Sequence, residues 1–475
     1  MSDFASTKLE PTPDETRELI EMTARRVITY LSTLPTQPAS SFVEADEVAR
    51  SLVEPLPASG QPYAELLALL FERVIPQGCN TNSPGMFSYI NGGASIHGAI
   101  ADLITSATNP YVGYWGGAPA MVQLEHTVVR WLAELVGLGD GAGGVLLSGG
   151  SLANLSALVT ARKAMLDGDP RVGTVYASDQ VHHSVAKALM VGGFADDALR
   201  VVPSDDSYRI RLDLLAERIR ADREAGRRPF CVVGSAGTTN TGAVDDLRAL
   251  AGLARSERLW FHVDAAYGGC FALTERGKAA LAGIELADTV VLDPHKSLFS
   301  PFGTGCLLAR DPDALRRAHE LHSDYIDGVV DTAEHGSALN FADLSPELSR
   351  GMRGLRVWLP LKLLGANAYR AALDEKLDLA RYAAAQLEGM AGFELVARPQ
   401  LSILAFRATQ AGLGEGELDQ LNRDLLERVN ARGKVHLSAT NLNGKFTLRI
   451  CVLSLRSHAR AVDTCLHELR TCHGS

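Results

Sequence analysis

Apolar residues near the N-terminus recur with a helical period. In TRELIEMTARRVITYLSTL, Leu19, Ile20, Met22, Val27, Ile28 and Leu31 share one face, and Pro13-Asp14 marks the start of the helix. FVEADEVARSLVEPLP and ASGQPYAELLALLFERVIPQG predict two more amphipathic helices after it. Three such helices have little core of their own. Residues 1–94 therefore read as a helical arm that packs on something else, with 1–13 as a loose tail.

From about residue 95 the period changes. Short apolar runs alternate with helical ones: GGVLLSGG then SLANLSALVTARKAML, GTVYASD then HHSVAKALMVGG, ALRVVPSD then LDLLAERIRADREAG, and RPFCVVGSAGTT then DLRALAGLARSER. LWFHVDAA and Thr289-Val290-Val291-Leu292 are further runs of the same kind. Continuous apolar runs suit strands buried on both faces. The rhythm predicts an α/β domain, at 95–358, with a mostly parallel sheet covered by helices on both sides. Residues 359–475 read as a small α+β domain. There FELVAR and LSILAFRAT are strands, and KVHLSATNLNGKFTLRICVLS is a hairpin turning at Asn443-Gly444.

Composition narrows the class. The chain has 475 residues, 46% hydrophobic and 21% charged, as in ordinary globular proteins. A formal net charge of -10 with no Lys/Arg cluster argues against a nucleic-acid partner. The 7 cysteines are scattered without a C-x-x-C pair, which fits reduced thiols in a cytoplasmic protein and argues against a disulfide framework or a metal site. MSDFASTKLEPTPDE lacks the pattern of a signal peptide, and no run of about 18 apolar residues predicts a membrane span.

Three stretches carry chemistry. Lys296 follows the run Thr289–Leu292, where irregular backbone is expected, and Asp264 ends the preceding run. Ligands of open α/β sheets gather at such strand ends. In SGGSLANL, Gly149, Gly150 and Ser151 lie between a strand and a helix start, where backbone N–H groups and the helix dipole favour a phosphate. It is neither a G-x-G-x-x-G nor a P-loop sequence. An amine and a carboxylate at neighbouring strand ends suit pyridoxal phosphate, the lysine forming a Schiff base and the carboxylate meeting the pyridine nitrogen.

HVDAAYGG and DPHKS together resemble the group II pyridoxal-phosphate-dependent amino-acid decarboxylases, which include the aromatic amino-acid, histidine, glutamate and cysteine-sulfinate decarboxylases. The resemblance runs from about residue 15 to the C-terminus. It implies fold type I: a large domain with a seven-stranded, mostly parallel sheet, a small C-terminal domain, and an arm wrapped around a second subunit. A homodimer with its active site at the subunit interface follows. The implied cofactor is pyridoxal 5'-phosphate, held by Lys296 and Asp264. By the same resemblance Gly150 and Ser151 form the phosphate cup, with His295 beside the phosphate. His182 stacks on the pyridine ring, Ala266 packs beneath it and Thr239 lies near it. Asp245 reads as structural. Asp293 stands where the family usually has Asn. A contact with the phosphate would bring two negative groups together, so a turn or protonated role is expected. Burial is expected to depress the Lys296 pKa.

The resemblance also implies a substrate loop, SPGMFSYINGGAS, in which Tyr89 and Asn91 contact substrate while Gly92 and Gly93 leave room for it. Trp115 and Tyr114 are candidate pocket walls. Tyr325 lies 29 positions after Lys296, the gap found in the aromatic decarboxylases, where this tyrosine returns a proton to Cα from a mobile lid. Phe at that place in relatives goes with oxidative deamination to aldehydes. Arg350 and Arg353, three apart, are expected on one helical face. The expected activity is decarboxylation of an L-amino acid, aromatic or aliphatic by preference because the substrate loop has no Arg or Lys. An aldehyde synthase, another carbon–carbon lyase or an aminotransferase are alternatives with the same cofactor. A non-catalytic pyridoxal-phosphate-binding protein is an alternative of another class.

Overall fold

The continuous apolar runs form the middle of one sheet. In this computed structural model, residues 9–321 and 340–474 are described. The sheet strands are β1 (Gly143–Leu147), β2 (Gly173–Ser178), β3 (Leu199–Val202), β4 (Arg228–Ser235), β5 (Trp260–Asp264), β6 (Thr289–Leu292) and β7 (Gly305–Ala309). Their order across the 7-stranded sheet is β1-β7-β6-β5-β4-β2-β3. All neighbours are parallel except β7, which runs antiparallel to both β1 and β6.

Alternation within these runs divides the core. Val290 and Leu292 of β6 join the large cluster on one face, with Val232 and Phe261. Val291 points to the other face, with Val145, Leu147 and Leu307. Helices such as Pro119–Leu135, Gly150–Met165 and Leu247–Ser256 cover the sheet. This is the fold type I architecture. The ends of β5 and β6 lie side by side, with Asp264 paired to Val291, so the chemistry expected after each strand is brought to one edge.

A second sheet of 4 strands holds β8 (Phe393–Ala397), β9 (Ile403–Ala408), β10 (Ser438–Leu442) and β11 (Lys445–Cys451), in the antiparallel order β8-β9-β11-β10. Its helices include Ala366–Glu388 and Ala459–His473. The hairpin turns where expected: Leu442 pairs with Lys445, and Asn443 and Gly444 both have positive φ, at 51° and 79°. Such a two-residue turn needs left-handed backbone at both positions, which Asn-Gly supplies.

Residue 358 lies inside the helix Leu355–Leu364, which ends before Gly365, whose φ is 75°. One expectation is corrected. Arg350 and Arg353 precede that helix and share no helical face. Instead both donate to the carbonyl of Leu146, at 2.6 and 3.4 Å, and Arg350 forms a fully buried ion pair with Glu125 at 2.5 Å. They brace the strand that enters the glycine turn.

The N-terminal helix Pro13–Thr33 begins with a capping box, Thr12 with Glu15, and none of its residues is buried. The shorter helices Ala45–Ser51 and Tyr63–Ala68 follow, the second continuing as a π-helical segment, Leu69–Val74. Apolar side chains stay exposed along this stretch, Ile28 at 65% and Val53 at 85%.

Candidate active site

Asp264 is the last residue of β5. Its Oδ1 accepts the backbone N–H of Ala266 at 3.1 Å, and its Oδ2 accepts Nδ2 of Asn154 at 3.0 Å. Among the described residues only neutral donors hold this carboxylate, so it keeps its affinity for a cation.

Lys296 sits in a one-turn helix, Pro294–Ser297, directly after β6, rather than in irregular backbone. Pro294 takes the first helical position, where its missing N–H costs nothing. The Lys296 Nζ is 2.9 Å from Oδ2 of Asp293. Burial by itself would lower the pKa of this amine. The charges of Asp293 and then Asp264 outweigh burial and hold it above the ordinary lysine value. The expectation of a depressed lysine is therefore corrected: it counted desolvation and omitted the neighbouring carboxylate. Asp293 does occupy the turn expected of it, capping this helix while its carbonyl accepts the Lys296 N–H at 2.8 Å, and its carboxylate pairs with the Lys296 amine.

Asp293 is buried, and its Oδ1 has no hydrogen-bond partner among the described residues. His295 lies 3.5 Å from Oδ2 of Asp293 through Nε2, while its Nδ1 donates to the Thr304 carbonyl at 2.8 Å. Burial lowers the His295 pKa, against the pull of Asp293, so the ring favours its neutral form.

The glycine turn closes the other side. The helix Gly150–Met165 starts at the cavity, so its first N–H groups are without intrahelical partners there. The turn presses on β7: a Cβ on Gly305 would lie 2.5 Å from Cα of Gly149. A Cβ on Gly150 would come within 3.0 Å of Asp293 Oδ2 and 3.3 Å of the Ala266 side chain. Gly150, Ser151, His182, Thr239, Ala266 and His295 all line one cavity of about 340 Å³ together with Asp264 and Lys296. That is enough for a small ligand. The carbonyls of Thr239 and Asn240 are held by Arg449 of β11, which ties the second sheet to the cavity wall.

The expected substrate residues are placed differently. Tyr89 is 61% exposed with φ at 56°, and neither it nor Trp115 lines the cavity. Asn91 is buried with its amide committed to its own loop: Nδ2 donates to Thr81 at 2.5 Å and Oδ1 accepts from the N–H of Gly93 at 3.2 Å. Each of these atoms keeps one further hydrogen-bonding site, since an amide nitrogen carries two protons and its oxygen two lone pairs. Gly92 also differs from expectation. A Cβ there would lie 1.9 Å from the Lys296 carbonyl, so this glycine makes room for the lysine backbone rather than for a ligand. Tyr325 lies outside the described residues.

Sequence reasoning missed Asn154, Ser184 and His262. Asn154 joins Asp264 to Ser184, its Nδ2 donating to Ser184 Oγ at 2.8 Å, and Ser184 meets His182 Nδ1 at 2.8 Å. His262 Nε2 is 2.9 Å from Asn154 Oδ1. The available signal was polarity in apolar company: Asn154 is buried within a helix and His262 within a strand.

An amine, a carboxylate held by neutral donors and a glycine-lined helix start, facing one cavity, fit a phosphorylated pyridine aldehyde. They define a pyridoxal-phosphate enzyme of fold type I. Residues 51–409 match the family model described as the pyridoxal-dependent decarboxylase conserved domain. An aromatic-L-amino-acid decarboxylase of Bacillus atrophaeus is 36% identical over 453 residues, 95% of this chain and 94% of the relative. A phenylacetaldehyde synthase of Arabidopsis thaliana is 28% identical over 453 residues, covering 92% of each chain. The crystal structure of Oryza sativa TDC with PLP and tryptamine superposes with a TM-score of 0.94 at 27% identity, over 98% of this chain and 99% of that one. The chain belongs to the pyridoxal-dependent decarboxylase family. It is a pyridoxal-phosphate-dependent amino-acid decarboxylase.

Proposed function

We propose that the protein removes the carboxylate of an aromatic L-amino acid as CO2 and releases the amine, as a cytoplasmic homodimer. The observation that carries the reading is the joint placement of Lys296 and Asp264 in one cavity bounded by the Gly150–Ser151 turn. The substrate class is supported by the names of the relatives, which include aromatic-L-amino-acid, tyrosine and tryptophan decarboxylases.

Lys296 would hold the cofactor's aldehyde carbon and yield it to the substrate amine. Asp264 would face the pyridine nitrogen and keep it protonated through a charge-assisted bond. The N–H groups of Gly150 and Ser151, with His295, would receive the phosphate. His182 and Ala266 would bound the ring, and Thr239 would stand at its edge. When bound, the cofactor supplies an electron sink for the pair left as CO2 departs. Tyr325 would return the proton to Cα, with Tyr89 and Trp115 contacting substrate only where a second subunit completes the wall.

Exposed apolar side chains support the dimer. On the helix Ile96–Thr108, the residues Ile96, Ile100, Leu103 and Ile104 form an outward stripe, and the N-terminal arm adds others. We assign residues 1–94 to the dimerisation arm, 95 to about 365 to the large domain and the remainder to the small one. The free cysteines, all but Cys79 buried, fit a reducing compartment. No helix among the described residues is long and apolar enough to cross a membrane.

A second reading, aldehyde formation, is favoured by the phenylacetaldehyde synthase among the relatives. Tyr325 in place of Phe weighs against it. The test is a screen of the common amino acids with protein and added pyridoxal phosphate, following CO2, amine, aldehyde and ammonia together. Stoichiometric amine from phenylalanine, tyrosine or tryptophan is expected. Aldehyde with ammonia would replace the reading with the second one, and amine from glutamate alone would overturn the substrate class.

A further inference from the structure

Behind the cavity wall, a file of buried polar side chains runs from β5 and β6 to His182. Its hydrogen bonds have only one consistent set of directions. Nε1 of Trp260 is a donor and nothing else, and it meets Thr289 Oγ1 at 2.9 Å. Thr289 accepts that bond, so its own proton is available for Nδ1 of His262, also at 2.9 Å. At the far side of the imidazole, Nε2 faces Oδ1 of Asn154 at 2.9 Å and must donate.

The orientation of Asn154 is fixed independently. An ionised Asp264 only accepts, so Asn154 must present its nitrogen to it and its oxygen to His262. The two amide protons are then fully used, one on Asp264 and one on Ser184 Oγ. Ser184 accepts there and donates its hydroxyl proton to Nδ1 of His182 at 2.8 Å. The backbone N–H of Ser184 reaches the same nitrogen at 3.3 Å. With two donors on Nδ1, the proton of neutral His182 has to reside on Nε2.

We propose that His182 is locked as the Nε2–H tautomer by this buried file, and that His262 and Asn154 are positioning residues for the site. The consequence is a fixed donor on His182, suited to an anionic acceptor such as a carboxylate. Through Asn154 the same file orients Asp264, so two cavity residues are set by one amide. Burial lowers the His182 pKa and pulls that of His262 down to about 4, and both shifts act in the direction of the neutral rings.

The inference rests on the placement of His182 in the proposed site, but its test needs no turnover. Holoenzyme carrying 15N-labelled histidine gives two-bond 1H–15N patterns that separate the tautomers, and a His182→Asn variant identifies the His182 signals. We expect the Nε2–H pattern at pH 7 to 8. An Nδ1–H pattern in the wild type overturns the proposal whatever the variants do. His262→Leu should leave Asn154 Oδ1 unmet, mix the His182 tautomers and lower kcat/KM about three- to tenfold. His262→Gln places an amide N–H where Nε2 was and should restore both readouts. Unchanged His182 signals in a folded His262→Leu protein would also overturn the proposal. Should His262→Leu not fold, the wild-type pattern and the His262→Gln pair still decide it.

Discussion

The cavity has two buried carboxylates, and they are held in opposite ways. Asp264, at the end of β5, is bound by an amide and a backbone N–H, both neutral and both immobile. Asp293, just beyond β6, is bound by the Lys296 amine, and its other oxygen has no hydrogen-bond partner among the described residues. A carboxylate fixed by neutral donors keeps its charge to offer to an incoming cation. A carboxylate fixed by an amine has spent its charge, and it recovers that charge whenever the amine is consumed. One end of the cavity is therefore preorganised. The other end changes its electrostatics with the state of a single lysine.

Removing Lys296 should produce the largest effect and break the second arrangement outright. Lys296→Ala should abolish the visible absorbance of lysine-bound cofactor and all release of CO2. It also strands Asp293. Loss of one partner of an enclosed pair costs roughly 3–5 kcal/mol, and this cavity admits water, so about 1–3 kcal/mol of stability is expected to go. Urea unfolding measures that loss, and adding Asp293→Asn to Lys296→Ala should recover most of it. A double variant as unstable as the single one would show that the pair is not coupled.

Asp264→Asn tests the preorganised end with almost no change of shape. A hydrogen bond to a charged group contributes about 1.5–3 kcal/mol, so kcat/KM should fall at least tenfold and by up to about a hundredfold. Stability should also fall, by about 1–3 kcal/mol, since one of the two existing donors would then face the new amide NH2, which cannot accept. Full activity in this variant would remove Asp264 from the chemistry.

The fold was legible in the sequence wherever the signal was local. The alternation of apolar runs marked the large sheet, and Asn443-Gly444 marked the hairpin by turn chemistry alone. Lys296 and Asp264 could be found because each closes an apolar run. What escaped was nonlocal. Gly92 appeared as space for a ligand, but its reason is the Lys296 carbonyl, more than 200 positions away in the chain. The hold on Asn91 escaped because its partner, Thr81, is a backbone group and carries no sequence signal. Arg350 and Arg353 suggested a helix by spacing, yet their shared acceptor is the Leu146 carbonyl on a distant strand. The direction of the Lys296 pKa went wrong for a related reason: burial can be guessed from an apolar run, but which oxygen of Asp293 faces the amine depends on the turn after β6.

Asp293→Asn has the smallest expected effect and sharpens the comparison most, because its sign is set in advance. Only the neutral amine of Lys296 can bond to an aldehyde carbon. With Asp293 present the amine's pKa is raised, so the neutral fraction near pH 7 is small and capture of cofactor speeds up as pH rises toward that pKa. With Asn in its place, burial acts to lower the pKa, and Asp264 with a smaller pull from Cys451 opposes it. The curve of capture rate against pH should move to lower pH, and capture at pH 7 should be faster than in the wild type. Apoenzyme mixed with cofactor and followed by absorbance gives both curves. Pyridoxal without its phosphate separates the causes. If the gain appears with both aldehydes, Asp293 acts on the lysine, as the ion pair requires. If it appears only with the phosphorylated one, the gain comes from removing repulsion between Asp293 and the phosphate, and the contrast between the two carboxylates would have to be redrawn around the phosphate rather than the amine.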